Sequence, residues 1–403
     1  MTFPYRIGRG DTWERIALRY GLPVSEWFRV SRELRERQGL YGQRQVSAGR
    51  KAVQPAYSSY VLKAGDTIDG VAQRFGLEGA ELLEVNPGIH HRHLRIGQTI
   101  VLPQVHEIMQ AEGEGYGYAA LVSQLKRLQR DYPFLETGSV GRTVLGQTIP
   151  YIRIGSGSRE VHYNGAFHAN EWMTSLLLMQ FVESYAAAWR NGDKIAGRDA
   201  RRLAEESSLW IVPMVNPDGV DLSLHGVASG HPYYERLLAW NGGSADFSGW
   251  KANIRGVDLN DQFPAYWETE RDRRDVAGPG PRDYTGASPL SEPEAAAMAA
   301  FTASRDFRLV MAFHTQGREI YWNYRDYEPG ESAAMAQRLE ELSGYRAVKL
   351  TGSDAGYKDW FIREYRKPGF TIEAGFGVNP LPVEQLGSIY RELLPLLVEG
   401  LLL

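Results

Sequence analysis

The chain contains no cysteine. Disulfides, thiolate metal ligands and cysteine nucleophiles are therefore excluded, and any bound metal has to sit on histidine, aspartate or glutamate. Long apolar runs are missing as well. No stretch approaches the roughly 18 apolar residues of a membrane span, and Met1 to Gly8 lacks the basic start and apolar core of a conventional signal peptide, so neither is expected. Charge of one sign is not in excess: the formal net charge is −4 and no dense basic block occurs. That balance argues against a nucleic-acid partner held by phosphate attraction. The remaining composition, 43% hydrophobic and 23% charged over 403 residues, is that of an ordinary soluble globular protein of two or three domains.

What is present is a metal-binding pattern. His168-Ala-Asn-Glu171 places a glutamate three residues after a histidine, so both side chains share one side of a helical first turn. A catalytic zinc commonly takes three protein ligands, such as two histidines and a glutamate, and keeps the fourth position open. His314 is the candidate third ligand, because it follows the apolar run Arg308 to Phe313, which predicts a buried strand with the histidine at its carboxyl end. Val161 to Phe167 predicts strand plus turn and Trp172 to Trp189 a helix, which puts His168 at a strand-to-helix junction.

The first quarter is an internal repeat with an offset of 55 residues, from Gly10 to Gly65. Gly10-Asp11-Thr12 matches Gly65-Asp66-Thr67, Ala17 matches Ala72, and Gly42-Gln43 matches Gly97-Gln98. Each unit predicts strand, helix, helix, strand. The units cover residues 1–53 and 58–104, residues 105–115 read as a polar linker, and residues 116–403 form a larger domain. That domain opens with a helix near Tyr118 to Tyr132, and short apolar runs then alternate with helical patterns, which predicts an α/β sheet.

The repeats resemble LysM modules, small βααβ folds that bind N-acetylglucosamine-containing glycans. The second keeps Gly65, Asp66, Thr67, Asn86 and Pro87, which the resemblance marks as glycan-binding positions. The first has Ser31 in place of the asparagine and no closing proline. Residues from about 116 onward resemble the zinc carboxypeptidase superfamily, through Phe167-His-Ala-Asn-Glu-Trp172, Val215-Asn-Pro-Asp-Gly-Val220, Gly256-Val-Asp-Leu-Asn260, Ala312-Phe-His-Thr-Gln316 and Thr371-Ile-Glu373. Together with the repeats, Lys251 to Pro264 is similar to the bacterial γ-D-glutamyl-L-diamino acid endopeptidase I group.

The resemblance implies a mixed sheet flanked by helices, one Zn²⁺ held by His168, Glu171 and His314, and Glu373 as general base. It further implies cleavage between the side-chain carboxyl of D-glutamate and the amine of meso-diaminopimelate, or another L-diamino acid, in peptidoglycan stem peptides. Lys251 and Arg255 compete as the cation for the developing oxyanion. Asp258 is expected to accept a hydrogen bond from His168 and fix its tautomer; otherwise it caps a turn.

Two departures bear on specificity. Asp261 follows Asn260 where exocarboxypeptidases carry an arginine, so it is expected to repel a terminal carboxylate and pair with an ammonium, while Asn260 bonds the substrate backbone. Lys358 holds the pocket-setting position, with Tyr357 beside it. An exocarboxypeptidase and a glycan-binding protein with an inactive hydrolase domain are the alternative functions. A cytoplasmic location is expected, with sporulation- or cell-wall-association as the alternative, and the sequence leaves the oligomeric state open. Outside these motifs, His90, His91 and His93 read as a solvated loop, Asn216 to Gly219 as a turn, Gly278 to Pro281 as a flexible or kinked lip, and Ser291 to Glu294 as a helix start.

Overall fold

The computed structural model describes residues 115–403 continuously; ahead of them it describes residues 5–6, 51–52, 58–63, 65–74, 82–83, 86, 89 and 94–102. The chain divides into two compact units, 1–111 and 112–403.

In the first unit, β1 (Tyr5–Arg6) pairs antiparallel with β2 (Lys51–Ala52), and β3 (Ser58–Val61) is followed by α1 (Ile68–Arg74) and β4 (Thr99–Leu102). Leu82 and Leu83 are helical between α1 and β4, and β3 pairs antiparallel with β4. A small core of Tyr60, Leu62, Ile68, Val71, Ala72, Leu82 and Ile100 holds this second repeat together.

Gly65, Asp66, Thr67 and Asn86, among the positions marked as glycan contacts, each take part in the module's own turns and caps. Gly65 supplies a left-handed turn at φ 85°, and the Asp66 carboxylate accepts from the Lys63 amide and the Tyr60 hydroxyl, both at 2.7 Å. Thr67 Oγ1 accepts from the Gly70 amide at 3.0 Å as a helix cap. Asn86 is buried and donates to the Leu82 carbonyl. Asp66 and Asn86 are thus engaged in internal turns. Pro87, His90, His91 and His93 lie outside the described residues.

The second unit runs α2 (Tyr118–Asp131), β5 (Glu136–Arg142), β6 (Thr148–Ile154), β7 (Arg159–Gly165), α3 (Met173–Asn191), the hairpin β8 (Lys194–Ile195) and β9 (Arg198–Asp199), α4 (Ala200–Glu206) and β10 (Ser207–Val212). It continues through α5 (Pro217–His225), α6 (Tyr234–Trp240), α7 (Trp267–Arg274), α8 (Pro293–Ala303), β11 (Leu309–His314), β12 (Glu319–Tyr321), α9 (Ser332–Ser343), β13 (Arg346–Val348), α10 (Tyr357–Tyr365), β14 (Gly369–Glu373) and α11 (Leu386–Glu399).

Eight strands form one mixed sheet in the order β13-β12-β14-β11-β7-β10-β6-β5. The central four, β14, β11, β7 and β10, are parallel; β6 and β12 join antiparallel on either side. Every residue of β10 and β11 is buried, as expected of strands covered on both faces. Strand alternation sorts the two layers. Val310 and Ala312 face a core that includes Phe301 from α8 and Tyr357 and Phe361 from α10, whereas Tyr163 and Phe313 pack together on the other face, where Tyr163 meets Phe181 of α3 and donates to the Leu397 carbonyl of α11.

Helix starts follow their capping chemistry. Asp199 accepts from the amides of Arg201 and Arg202 to begin α4, and Pro293 occupies the first turn of α8. Asn216 to Gly219, read from sequence as a turn, is the first turn of α5, with Asn216 as the cap and Pro217 just inside. Among the described residues no helix is long and apolar enough to cross a membrane.

Candidate active site

The site sits at the carboxyl ends of β7, β11 and β14, where strand directions agree and loops diverge. β7 ends at Gly165, and Ala166 turns the chain through a left-handed conformation, φ 49°. This costly geometry is secured from both sides: the Ala166 amide donates to Thr174 Oγ1 at 2.8 Å, and its carbonyl accepts from the Asn216 amide at 3.0 Å. Asn216 Nδ2 also donates to the Phe167 carbonyl at 3.2 Å. Gly219 is needed beneath this bridge, since a Cβ there would meet Asn216 and the Ala252 carbonyl at 2.6 to 2.7 Å.

A single 3₁₀ turn, Ala169–Glu171, then carries Glu171 back over His168. His168 Nδ1 lies 2.9 Å from Glu171 Oε1, His314 Nδ1 lies 2.9 Å from Glu171 Oε2, and the two Nδ1 atoms are 3.1 Å apart. All three side chains are buried. The Thr315 amide donates to Glu171 Oε2 at 3.3 Å, and Asn379 Nδ2 donates to Glu171 Oε1 at 3.3 Å and to the Thr315 carbonyl at 2.7 Å.

These atoms converge in a group that could hold a metal ion. Asp258 Oδ1 stands 3.2 Å from His168 Nε2, so in the neutral ring the proton sits on Nε2 and the Nδ1 lone pair faces a carboxylate and a second imidazole. Burial opposes charge on His168, yet Glu171 and Asp258 outweigh it and raise His168 to about 9. Burial likewise opposes ionisation of Glu171, and His168 and His314 still hold its carboxyl below the usual range. His314, for which burial dominates, is pushed toward the neutral ring that ligation requires. Two nitrogens and a carboxylate, all within 4.8 Å of one another, form a donor set suited to zinc.

Asp258 performs both tasks that the sequence left open. It accepts from His168 and, through Oδ1, from the Asn260 amide at 3.2 Å, capping the short turn Leu259–Asp261. Lys251 Nζ lies 3.7 Å from Asp258 Oδ2, while the Lys251 carbonyl accepts from the Ala169 amide at 2.9 Å. Burial opposes its charge, but Asp258 and Glu171 keep the Lys251 ammonium protonated. Arg255 faces elsewhere: it pairs with Glu292 at 3.7 Å, and a hydrogen bond to Tyr233 dominates its electrostatics. Lys251 is accordingly the cation beside the ligand group. The backbone behind it is held by Pro281, whose carbonyl accepts from the amides of Lys251 and Ala252.

Glu373 ends β14 directly beside His314 in the parallel register. Burial and the Glu171 charge push its carboxyl up to about 8. A divalent cation at the ligand group acts in the opposite sense.

The expected substrate contacts fare differently. Asp261 is buried and held by Arg274, at 3.0 Å from Nε and 3.2 Å from Nη2, so its charge is already matched. Burial and the neighbouring Asp258 push Asp261 up to about 7 against that pairing. Lys358 is also buried, pairing with Asp359 at 2.6 Å and donating to the Asn323 carbonyl at 2.7 Å. Tyr357 points into the core, its hydroxyl 2.8 Å from Thr302 Oγ1 and its ring against Phe167 and Phe263. Asn260 Oδ1 accepts from the Tyr357 amide at 3.3 Å and so joins its short turn to α10. Lys358 and Tyr357 are thus both buried and engaged within the fold. Sequence reading missed Asn379, whose partner Glu171 lies 208 residues away along the chain, and Arg274, which pairs with Glu270 four residues before it and with Asp261.

Comparison with known proteins accords with this geometry. Residues 121–392 match the zinc carboxypeptidase family model, and residues 5–51 and 60–103 each match the LysM domain. The γ-D-glutamyl-L-diamino acid endopeptidase 1 of Lysinibacillus sphaericus is 49% identical over 290 residues, covering 72% of this chain and 73% of the relative. The uncharacterized protein YqgT of Bacillus subtilis (strain 168) is 42% identical over 280 residues, covering 68% and 74%. Among solved structures, bovine thrombin-activatable fibrinolysis inhibitor bound to tick carboxypeptidase inhibitor superposes with a TM-score of 0.55 at 18% identity, covering 72% of this chain and 96% of that one, a likeness of fold. The family implies zinc, which the His168, Glu171 and His314 donors fit. The chain thus belongs to the zinc carboxypeptidase family and carries two LysM domains ahead of its peptidase fold.

Proposed function

We propose that this protein hydrolyses the bond between the side-chain carboxyl of D-glutamate and the amine of meso-diaminopimelate, or a related L-diamino acid, in peptidoglycan stem peptides. The observation that carries the reading is the 49% identity over 290 residues to an endopeptidase named for that bond. The LysM domains support delivery to N-acetylglucosamine-containing glycan.

His168, Glu171 and His314 would hold one zinc ion. Zinc there supplies a Lewis acid and a water of lowered pKa. Asp258 and Asn379 keep the ligand side chains oriented, as the hydrogen bonds to His168 and Glu171 indicate. The Glu373 carboxylate takes a proton from the attacking water and returns it to the leaving amine, from its place at the end of β14 beside His314. The Lys251 ammonium faces the negative charge that develops on the carbonyl oxygen.

Incubation of zinc-loaded protein with L-Ala-γ-D-Glu-meso-diaminopimelate and its D-Ala-extended form, beside Glu373→Gln, tests the proposal. Release of L-Ala-D-Glu by the parent and not by the variant is the expected result. Loss of only a C-terminal residue identifies an exocarboxypeptidase instead. No cleavage by protein shown to contain zinc leaves glycan binding as its activity.

A further inference from the structure

Lys251 and Asp258 stand together beside the ligand group although a loop of chain separates them. One residue closes that loop. Asn253 is fully buried, and each of its polar groups has a partner. Its Oδ1 accepts from the amides of Arg255 at 3.0 Å and Val257 at 3.1 Å. Its own amide donates to the Val257 carbonyl at 2.8 Å, and its carbonyl accepts from the Gly256 amide at 3.0 Å and from Trp250 Nε1 at 3.1 Å. Its Nδ2 donates to Glu292 Oε2 at 2.8 Å and reaches Glu294 Oε2 at 3.4 Å, at the start of α8.

These bonds act on both members of the pair. On the carboxyl side the closed turn ends at Val257, and Asp258 follows directly. On the amino side Trp250 precedes Lys251; its indole is held by the Asn253 carbonyl and packs in one cluster with Ala169, from the turn that carries Glu171. The Ala169 amide donates in turn to the Lys251 carbonyl at 2.9 Å. The turn itself is exacting, since Gly256 is left-handed at φ 73° and a Cβ there would lie 2.8 Å from the Gly280 nitrogen. With both backbone segments fixed, Lys251 Nζ comes to 3.7 Å from Asp258 Oδ2, and Asp258 Oδ1 to 3.2 Å from His168 Nε2. An asparagine side chain supplies the two acceptor positions and the donors that this closure consumes. Aspartate lacks the donors and would meet Glu292 as a like charge.

We propose that Asn253 is a positioning residue of the hydrolytic site: by closing the turn to Val257 and anchoring it to Glu292, it sets Lys251 and Asp258 against the ligand group. It acts through those two side chains, as orienting partners of a metal site do. The kinetic part of this inference rests on the stem-peptide reading above, whereas its zinc-binding part is independent of substrate.

The test exchanges the two ends of the hydrogen bond between Asn253 and Glu292. Asn253→Asp alone sets two buried carboxylates against each other; with Glu292→Gln added, an amide again faces a carboxylate, the donor now on the other side. The proteins are compared at pH 6, where Glu294, pushed up to about 7 by burial, is mostly neutral. At saturating zinc, Asn253→Asp is expected to lower kcat on L-Ala-γ-D-Glu-meso-diaminopimelate by about tenfold or more, with KM within about twofold. Zinc affinity, measured with a chromogenic chelator, is expected to fall by about tenfold. The double variant is expected to recover both quantities to within about threefold of the parent. Rates are referred to folded, zinc-loaded protein, so a loss of stability alone leaves kcat unchanged. In a Lys251→Ala background, Asn253→Asp is expected to lower kcat by no more than about twofold further, because its path to the reaction is already cut. Should Asn253→Asp not fold, Glu292→Ala removes only the anchor and is expected to lower the same two quantities by about threefold each. Unchanged kcat and zinc affinity in the folded variants, losses that the double variant does not recover, or full additivity with Lys251→Ala overturn the inference. A zinc-loaded parent that cleaves no stem peptide overturns the stem-peptide reading, and the zinc measurements then decide the role of Asn253 alone.

Discussion

Asp258 Oδ1 lies 3.2 Å from His168 Nε2, on the far side of the imidazole from the nitrogen that meets Glu171 and His314. One carboxylate thereby decides which face of the ring is bare for a metal. Asp258→Asn is expected to weaken zinc binding by about 10- to 100-fold, the range for loss of such a ligand-orienting partner. Competition with a chromogenic chelator measures it. Unchanged affinity would remove Asp258 from the account of the ligand group.

Lys251 and Arg255 lie four residues apart and face different partners. Lys251→Ala is expected to lower kcat by about 100-fold, as loss of one oxyanion donor does, whereas Arg255→Ala stays within about twofold of the parent. Steady-state kinetics on the cleaved stem peptide separates them. The opposite ranking would return the oxyanion role to Arg255.

Lys358→Met is expected to act on stability and to leave KM alone. It strands the buried Asp359 carboxylate, and breaking one side of a buried pair costs about 3–5 kcal/mol. Urea unfolding measures the loss. A raised KM with unaltered stability would restore Lys358 to the substrate pocket.

Glu294 predicts a pH-dependent stability away from the site. Burial, aided by Asp218 and Glu292, raises its carboxyl to about 7, while the Val144 amide donates to it at 3.0 Å. A folded-state value above the unfolded value near 4.5 means that its stabilising contribution is complete below about 4.5 and is lost as pH rises through about 7. Glu294→Gln keeps a neutral acceptor at every pH, so its unfolding free energy is expected to fall less between pH 5 and pH 8 than the parent's. Parallel pH profiles for the two proteins would count against this assignment.

The zinc-ligand group was legible because its signals are local or tied to strand ends. His168 and Glu171 share one turn, and an apolar run announces that His314 ends a strand. The partnerships of the expected specificity residues were not legible, for a reason of geometry. Adjacent helical residues do not normally face each other, yet at the first turn of α10 Lys358 and Asp359 meet at 2.6 Å. Arg274 reaches Asp261 from the last turn of α7, and Asn379 reaches Glu171 across 208 residues of chain. Only the assembled fold reveals those partnerships. Charge reversal at Asp261 looked decisive in the sequence and is matched by Arg274 in the fold.

His168 and His314 are 146 residues apart and become neighbours through the pairing of β7 with β11. The ligand group is consequently a late product of chain assembly: half of the domain carries one histidine, the other half its counterpart, and neither half can cut. A hydrolase aimed at a structural polymer gains a safeguard from this arrangement, because unfinished or broken copies are inert. Zinc uptake during refolding should therefore trail the formation of the central strands, and uptake that preceded it would show the safeguard to be absent.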